Sequence, residues 1–225
     1  EGRDILYDQN NKYNLSIRKT LEAIYENYKG DRNDKEFLAL ECYLKRVWFS
    51  NGIHHHYATD KFTPEFSESF FETTVRTLPS NTLPIQAYDN SVENLIAAIK
   101  PVIFDSTLYA KRVNQNENID LVKNSANNYY EGVTEAEVDQ FYNSKKEPND
   151  PMPISWGLNS KLMKENGNLV EKTWKIGGMY NDAIQKIVYW LEKASKVAEN
   201  EDQQRVINSL IDYYETGDLL TFDEY

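Results

Sequence analysis

The sequence predicts a mainly α-helical chain with a small β component, α+β in class, forming a multi-helix lobe that carries at least one β-hairpin. Three observations predict it. Apolar residues recur at three- and four-residue spacing along most of the chain. Capping and stop residues bracket those stretches. An Asn-Gly turn, Asn166-Gly167, stands between two runs of strand character. With 225 residues, 40% of them hydrophobic and 13% aromatic, there is material for a sizeable core.

Taken in order, Ile17, Leu21, Ile24, Tyr25 and Tyr28 describe an amphipathic helix, with Gly30 placed to act as its C-cap. A second helix begins near Asp34, carries Phe37, Leu40 or Glu41, Leu44 and Trp48 along one side, and closes at Ser50-Asn51-Gly52. Thr63-Pro64 reads as an N-cap followed by proline at the first helical position, opening a helix that runs towards Thr77. Pro79 and Pro84 bound a loop, and Ser91 caps a short helix bearing Val92, Leu95, Ile96 and Ile99. Thr134 with Glu137 forms a capping box ahead of Val138, Phe141 and Tyr142.

Residues 144–153, with three prolines among charged and amide side chains, form the candidate internal boundary. Beyond it, 158–164 and 169–176 flank the Asn-Gly turn as a β-hairpin. Gly177-Gly178 marks a sharp turn. Ala183, Ile184, Ile187, Val188, Leu191, Ala194 and Val197 then describe a long helix, with Ile187 and Leu191 expected on its inner face. A last helix through Val206, Ile207, Leu210, Ile211 and Tyr214 ends before Gly217 and should pair with it.

Formal net charge is −11, from 36 acidic against 25 basic residues, so the field around the chain repels phosphate backbones and nucleic acid is not an expected partner. No apolar run reaches the roughly 18 residues a membrane span needs, and no membrane partner is expected. The one cysteine, Cys42, excludes an internal disulfide and falls within the second helix, where a buried, inert thiol is expected. The chain lacks an initiator Met, and both ends read as continuing into a longer polypeptide. No Gly-rich phosphate loop and no His-Glu-x-x-His motif occurs.

One cluster invites chemistry. His54, His55 and His56 are the only histidines, and neutral imidazole is a good zinc ligand. Consecutive side chains diverge, so only His54 and His56 could converge, on an extended backbone, with Asp60 the nearest further ligand. A structural or substrate-side role therefore outweighs a metal site, and no metal ligand is assigned. Tyr57 follows the cluster outside any apolar period, whereas core and rim packing accounts for most of the 16 tyrosines.

The run Trp48 to Tyr57, Trp-Phe-Ser-Asn-Gly-Ile-His-His-His-Tyr, followed by Asp60-Lys61-Phe62-Thr63-Pro64, resembles a stretch of bacterial, Bacteroides-type dipeptidyl peptidase III. A second similar stretch begins at Gly178 and Tyr180 and runs through the last two helices to Tyr214. Residues 78–128 match poorly and read as lineage-specific. The resemblance implies a zinc exopeptidase that releases dipeptides from the N-termini of short peptides. Its zinc ligands and catalytic glutamate lie in a His-Glu-x-x-x-His type motif and a downstream acidic motif, neither of them present here. It also implies that residues 1–225 are part of the lobe opposite the zinc, partnering short peptides and the zinc-binding lobe of the same polypeptide. On this reading zinc belongs to the full-length parent and not to this segment, which is inactive alone. Tyr57 takes the place of a cleft aromatic, and Asn51, His54, His55 and His56 are carried with it as substrate-side candidates, with no catalytic residue assigned. The rival reading is a self-contained, non-enzymatic helical module that binds peptide or protein through the same residues.

Overall fold

The computed structural model describes residues 2–224. The chain is mainly helical with one small sheet, as the periodicity predicts. Among the described residues it divides into two compact units, one of residues 3–128 and one from 129 onward. Residues 144–153 form the irregular segment between a helix and the hairpin inside the second unit.

In the first unit α1 (Gly2–Asn10), α2 (Asn14–Asn27), α3 (Lys35–Ser50), α4 (Glu68–Thr77) and α5 (Val92–Phe104) share one core. Asp34 caps α3, its carboxylate accepting from the Glu36 amide, and Ser91 caps α5 through the Asn94 amide. Leu95, Ile96, Ile99, Val102 and Ile103 of α5 are buried with Ile17, Leu21 and Ile24 of α2 and Leu40, Leu44 and Val47 of α3. Short 3₁₀ turns at Ser80–Thr82 and Ile85–Tyr88 fill the proline-bounded loop.

Several expectations are corrected here. Helix α2 stops at Asn27, not at a Gly30 cap: Tyr28 turns extended (φ −59°, ψ 128°), and its ring stacks on Phe37 at 4.7 Å and meets Phe70 at 5.7 Å. Helix α4 starts at Glu68 rather than after Thr63. Ser67 Oγ accepts from the Phe70 amide, while Phe66 is pulled into the core against Tyr43 and Phe104 at 5.5 Å each. A helix beginning at Pro64 would have to take Phe66 into its first turn. Helix α5 runs to Phe104, longer than the short helix expected.

The second unit holds a three-stranded sheet in the order β1-β2-β3. Strands β2 (Ser160–Glu165) and β3 (Asn168–Thr173) pair antiparallel across Asn166 (φ 50°) and Gly167 (φ 83°), the two positive-φ residues a tight hairpin requires. Strand β1 (Tyr130–Glu131) was not foreseen; it lies parallel to β2, with Tyr130 opposite Leu162. Helix α6 (Glu135–Asn143) opens on the predicted capping box. Glu171 of β3 ties that helix to the hairpin, accepting from Ser160 Oγ (2.6 Å) and Tyr142 OH (3.1 Å) and pairing with Lys145.

Helices α7 (Asn181–Ser195) and α8 (Glu201–Thr216) pack as the expected pair, followed by α9 (Leu219–Glu224). The buried residues of α7 are Ile184, Val188 and Ser195; Ile187 and Leu191 sit at the half-buried edge, and Val197 lies beyond the helix, 80% exposed. Asn159 Nδ2 donates to the Gly217 carbonyl at 3.0 Å, joining the base of the hairpin to the end of α8.

Candidate functional site

The histidine segment is delivered by the end of α3. Asn51 takes the left-handed C-cap conformation (φ 53°), and Gly52 follows at φ 145°. Gly52 is required by space as well as by conformation, since a Cβ there would stand 2.1 Å from Nδ2 of Asn14. Asn14 is fully buried at the start of α2, and its Oδ1 accepts from the Ile53 amide at 3.2 Å. The turn is thereby locked to the core.

From there the chain folds back on itself. His54 bridges Lys61 antiparallel, and the Phe62 amide donates to the Ile53 carbonyl at 2.8 Å. The His55 amide donates to Asp60 O at 2.8 Å and the Thr59 amide to His55 O at 2.9 Å, which closes the 55–60 loop. A second segment braces it from outside: the Lys61 amide donates to Ala110 O, the Arg112 amide to Thr59 O, and the Arg112 guanidinium to the His56 carbonyl at 3.2 Å. Lys61 Nζ caps the C-terminal end of α5, donating to the carbonyls of Val102 (3.0 Å), Asp105 and Leu108 (2.6 Å). Burial lowers the Lys61 pKa from its ordinary value, against the opposing pull of Asp105.

The five sequence candidates separate within this frame. His54 is buried at 2% exposure, with Nε2 2.7 Å from the Tyr109 carbonyl, while no hydrogen-bonding group of the described residues reaches its Nδ1. Burial, reinforced by Lys61 and Arg112 and opposed by the Tyr109 carbonyl and Asp60, lowers its pKa to about 4, so the ring is neutral at pH 7. Asn51 is half-buried: its side-chain oxygen accepts from Arg3 Nε (3.2 Å) and its carbonyl from Asn10 Nδ2 (3.1 Å). These two brace the loop.

The other three form an aromatic array at its tip. His55 Nδ1 accepts from the amides of Tyr57 and Ala58, which assigns the ring proton to Nε2. The His55 and His56 rings stack at 4.7 Å, the His56 and Tyr57 rings lie 4.3 Å apart, and Phe49 meets His56 edge-on at 4.9 Å. Tyr57 is 84% exposed and Phe49 73%.

This arrangement does not fit a zinc ion. His55 accepts two backbone amides at Nδ1 and so carries its proton on Nε2, His54 is buried apart from the stacked His55 and His56 rings, and Asp60 pairs with Lys111 at 2.6 Å. Among the described residues no group of three or more His, Cys, Asp or Glu is placed to hold a metal.

Beside the array lies a groove of about 600 Å³, lined by Cys42, Lys45, Arg46, Phe49 and Ser50 of α3 and by His55, His56 and Phe62 of the loop. Cys42 is exposed, contrary to the buried thiol expected, because the buried stripe of α3 is Phe37, Leu40, Tyr43, Leu44 and Val47, and position 42 falls outside it. Sequence reasoning also missed Phe49, Lys45 and Arg46. The signal was present: Phe49 is a large apolar residue on the polar face of its helix, flanked one turn earlier by two cations.

Two comparisons bear on these residues. The family model described as Peptidase family M49 matches residues 104–225, more than half of the chain. That match begins inside the 78–128 stretch and leaves the histidine loop upstream of it. No curated protein matches the chain. No helix among the described residues is long and apolar enough to cross a membrane.

Proposed function

Because the chain belongs to peptidase family M49, we propose that it forms one wall of the substrate cleft in a zinc-dependent exopeptidase of the dipeptidyl peptidase III type. That enzyme releases dipeptides from the N-termini of short peptides. Zinc, the water it activates and the glutamate general base come from a His-Glu motif in the zinc-binding lobe of the parent polypeptide, not from these residues. Tyr57, His55 and His56 meet the peptide; His54 and Asn51 hold the loop that presents them.

The observation that carries this reading is Tyr57, a ring 84% exposed on a loop tied down on both sides by backbone hydrogen bonds. An exposed aromatic on a mobile loop loses entropy when it binds; one on a braced loop has already been ordered by folding. Its ring offers apolar area and its hydroxyl a hydrogen bond, the combination that suits a peptide. The negative field of the chain, −11 formally, steers a cationic amino terminus towards it at low salt.

In the full-length parent, Tyr57→Ala should lower kcat/KM for a tetrapeptide by about tenfold and leave Tm within about 1 °C of wild type. Lost stability with unchanged peptide kinetics would move Tyr57 out of the cleft. The chain on its own should hold no stoichiometric zinc after dialysis, which elemental analysis checks.

A further inference from the structure

The lining of the groove beside the histidine loop departs from the acidic composition of the chain. The protein carries 36 acidic and 25 basic residues, yet the groove is lined by Lys45 and Arg46 and by no carboxylate. The remainder of its lining that bears on recognition is aromatic or imidazole: Phe49, Phe62, His55 and His56.

The two cations are differently engaged. Lys45 lies 2.9 Å from Glu41 one turn back on α3, which neutralises much of its charge. Among the described residues Arg46 has a long ionic contact to Glu65, at 3.9 Å, with the arginine side chain 45% and the glutamate 74% exposed. A contact of that length between exposed groups is easily exchanged for a better one. A guanidinium offers a planar fork of donors that matches a carboxylate in two parallel hydrogen bonds, and an incoming carboxylate could displace Glu65.

We propose that this groove selects peptides carrying an acidic side chain next to an apolar or aromatic one. The carboxylate meets Arg46, with Lys45 in support, and the apolar side chain lies against Phe49 and Phe62. The negative field of the whole chain does not oppose this. Exposed charges beyond about 10 Å are screened at ordinary salt, whereas the groove cations act at contact. The proposal rests on the cleft-wall reading above and names the kind of peptide that wall prefers.

The test uses the chain as it stands and two hexapeptides, one containing a phenylalanine-glutamate step and its twin with glutamine in place of glutamate. Binding is followed by chemical-shift titration of the histidine and phenylalanine ring resonances. The glutamate peptide should bind about fivefold more tightly, and the advantage should shrink at about 0.5 M salt. The double variant Lys45→Gln, Arg46→Gln, at two exposed helical positions, should fold normally by circular dichroism and bind both peptides alike. Equal binding of the two peptides to the unaltered chain overturns the acid preference and leaves the cleft wall standing. A preference that survives in the double variant overturns the assignment of the carboxylate to Arg46 and Lys45, because it must then arise elsewhere, and likewise leaves the cleft wall standing. A chain whose ring resonances respond to neither peptide overturns the acid preference and the cleft wall together.

Discussion

His54 illustrates how far a single side chain can depart from what its neighbours in sequence suggest. Three histidines in a row invite a metal or a shared surface, but the first is buried and bonded to the carbonyl of Tyr109, 55 residues away. No local pattern encodes that partner. The expected divergence of adjacent side chains fails at the tip, where the His55 and His56 rings stack at 4.7 Å while His54 turns inward; what was legible was the placement of Tyr57 outside any apolar period, which matches its exposed ring. The burial of His54 has a measurable cost. Its folded pKa of about 4 lies below the ordinary 6.5, so the unfolded chain takes up a proton that the folded chain refuses. The contribution of His54 to stability is therefore complete above pH 6.5 and falls as pH drops from 6.5 towards 4, by on the order of 3 kcal/mol at the limit. Glu137, held down to about pH 2 by Lys164 and the Thr134 amide, adds its own loss only below about pH 4.5. Urea denaturation across pH 4.5 to 7 should show the decline in wild type and a flatter profile in His54→Gln. Parallel profiles would place the acid sensitivity in other groups.

At the scale of elements, starts set by local chemistry were readable and starts set by distant packing were not. Asp34, Ser91 and Thr134 cap helices through amides two or three residues away, and each cap was recognisable in the sequence. Thr63-Pro64 offered an equally good local signal and lost, because burying Phe66 against Tyr43 and Phe104 outweighs one cap. The parallel pairing of β1 was invisible for a related reason: two residues carry no period, and their partner lies about 30 positions on. The turn between α3 and the histidine loop combines both influences. Asn51-Gly52 announced it, but the reason glycine is needed there is Asn14, a buried side chain from another helix. Gly52→Ala must therefore either push Asn14 aside, breaking its bond to the Ile53 amide, or change the path of the loop. A loss of about 2 kcal/mol or more is expected, together with altered ring resonances for His55 and His56. By contrast Gly167→Ala, with nothing within 4 Å of the new Cβ, should cost only the conformational penalty of about 1 to 2 kcal/mol. Equal losses at the two positions would mean that Asn14 does not constrain the turn.

For the whole molecule, the sequence conveyed the class but not the distribution of core between the two units. Residues 3–128 hold an extensive cluster in which Ile17, Leu21, Ile24, Leu40, Leu44 and Ile99 are completely buried. From 129 onward the buried apolar side chains are few and dispersed: Val133, Val138, Leu162, Ile184, Val188, Tyr213 and Leu219. Helices α7 and α8 have strong amphipathic patterns, which is why the reading of the sequence placed Ile187 and Leu191 inside, yet α8 buries only Tyr213 and α7 leaves Trp190 67% exposed. Periodicity shows which face of a helix is apolar; it does not show how much of that face finds a partner. Local opening is governed by the apolar area that must be re-exposed, at about 25 cal/mol per Å², so amides in α7 and α8 should open at lower free energy than those of α2, α3 and α5. Native-state hydrogen exchange on the intact chain measures this directly. The central amides of α3 and α5 should exchange near the limit set by global unfolding, and those of α8 at least about tenfold faster. If α7 and α8 are protected as strongly as α3, the few buried residues of the second unit are not what limits its stability, and the ranking of the two units by buried apolar area fails.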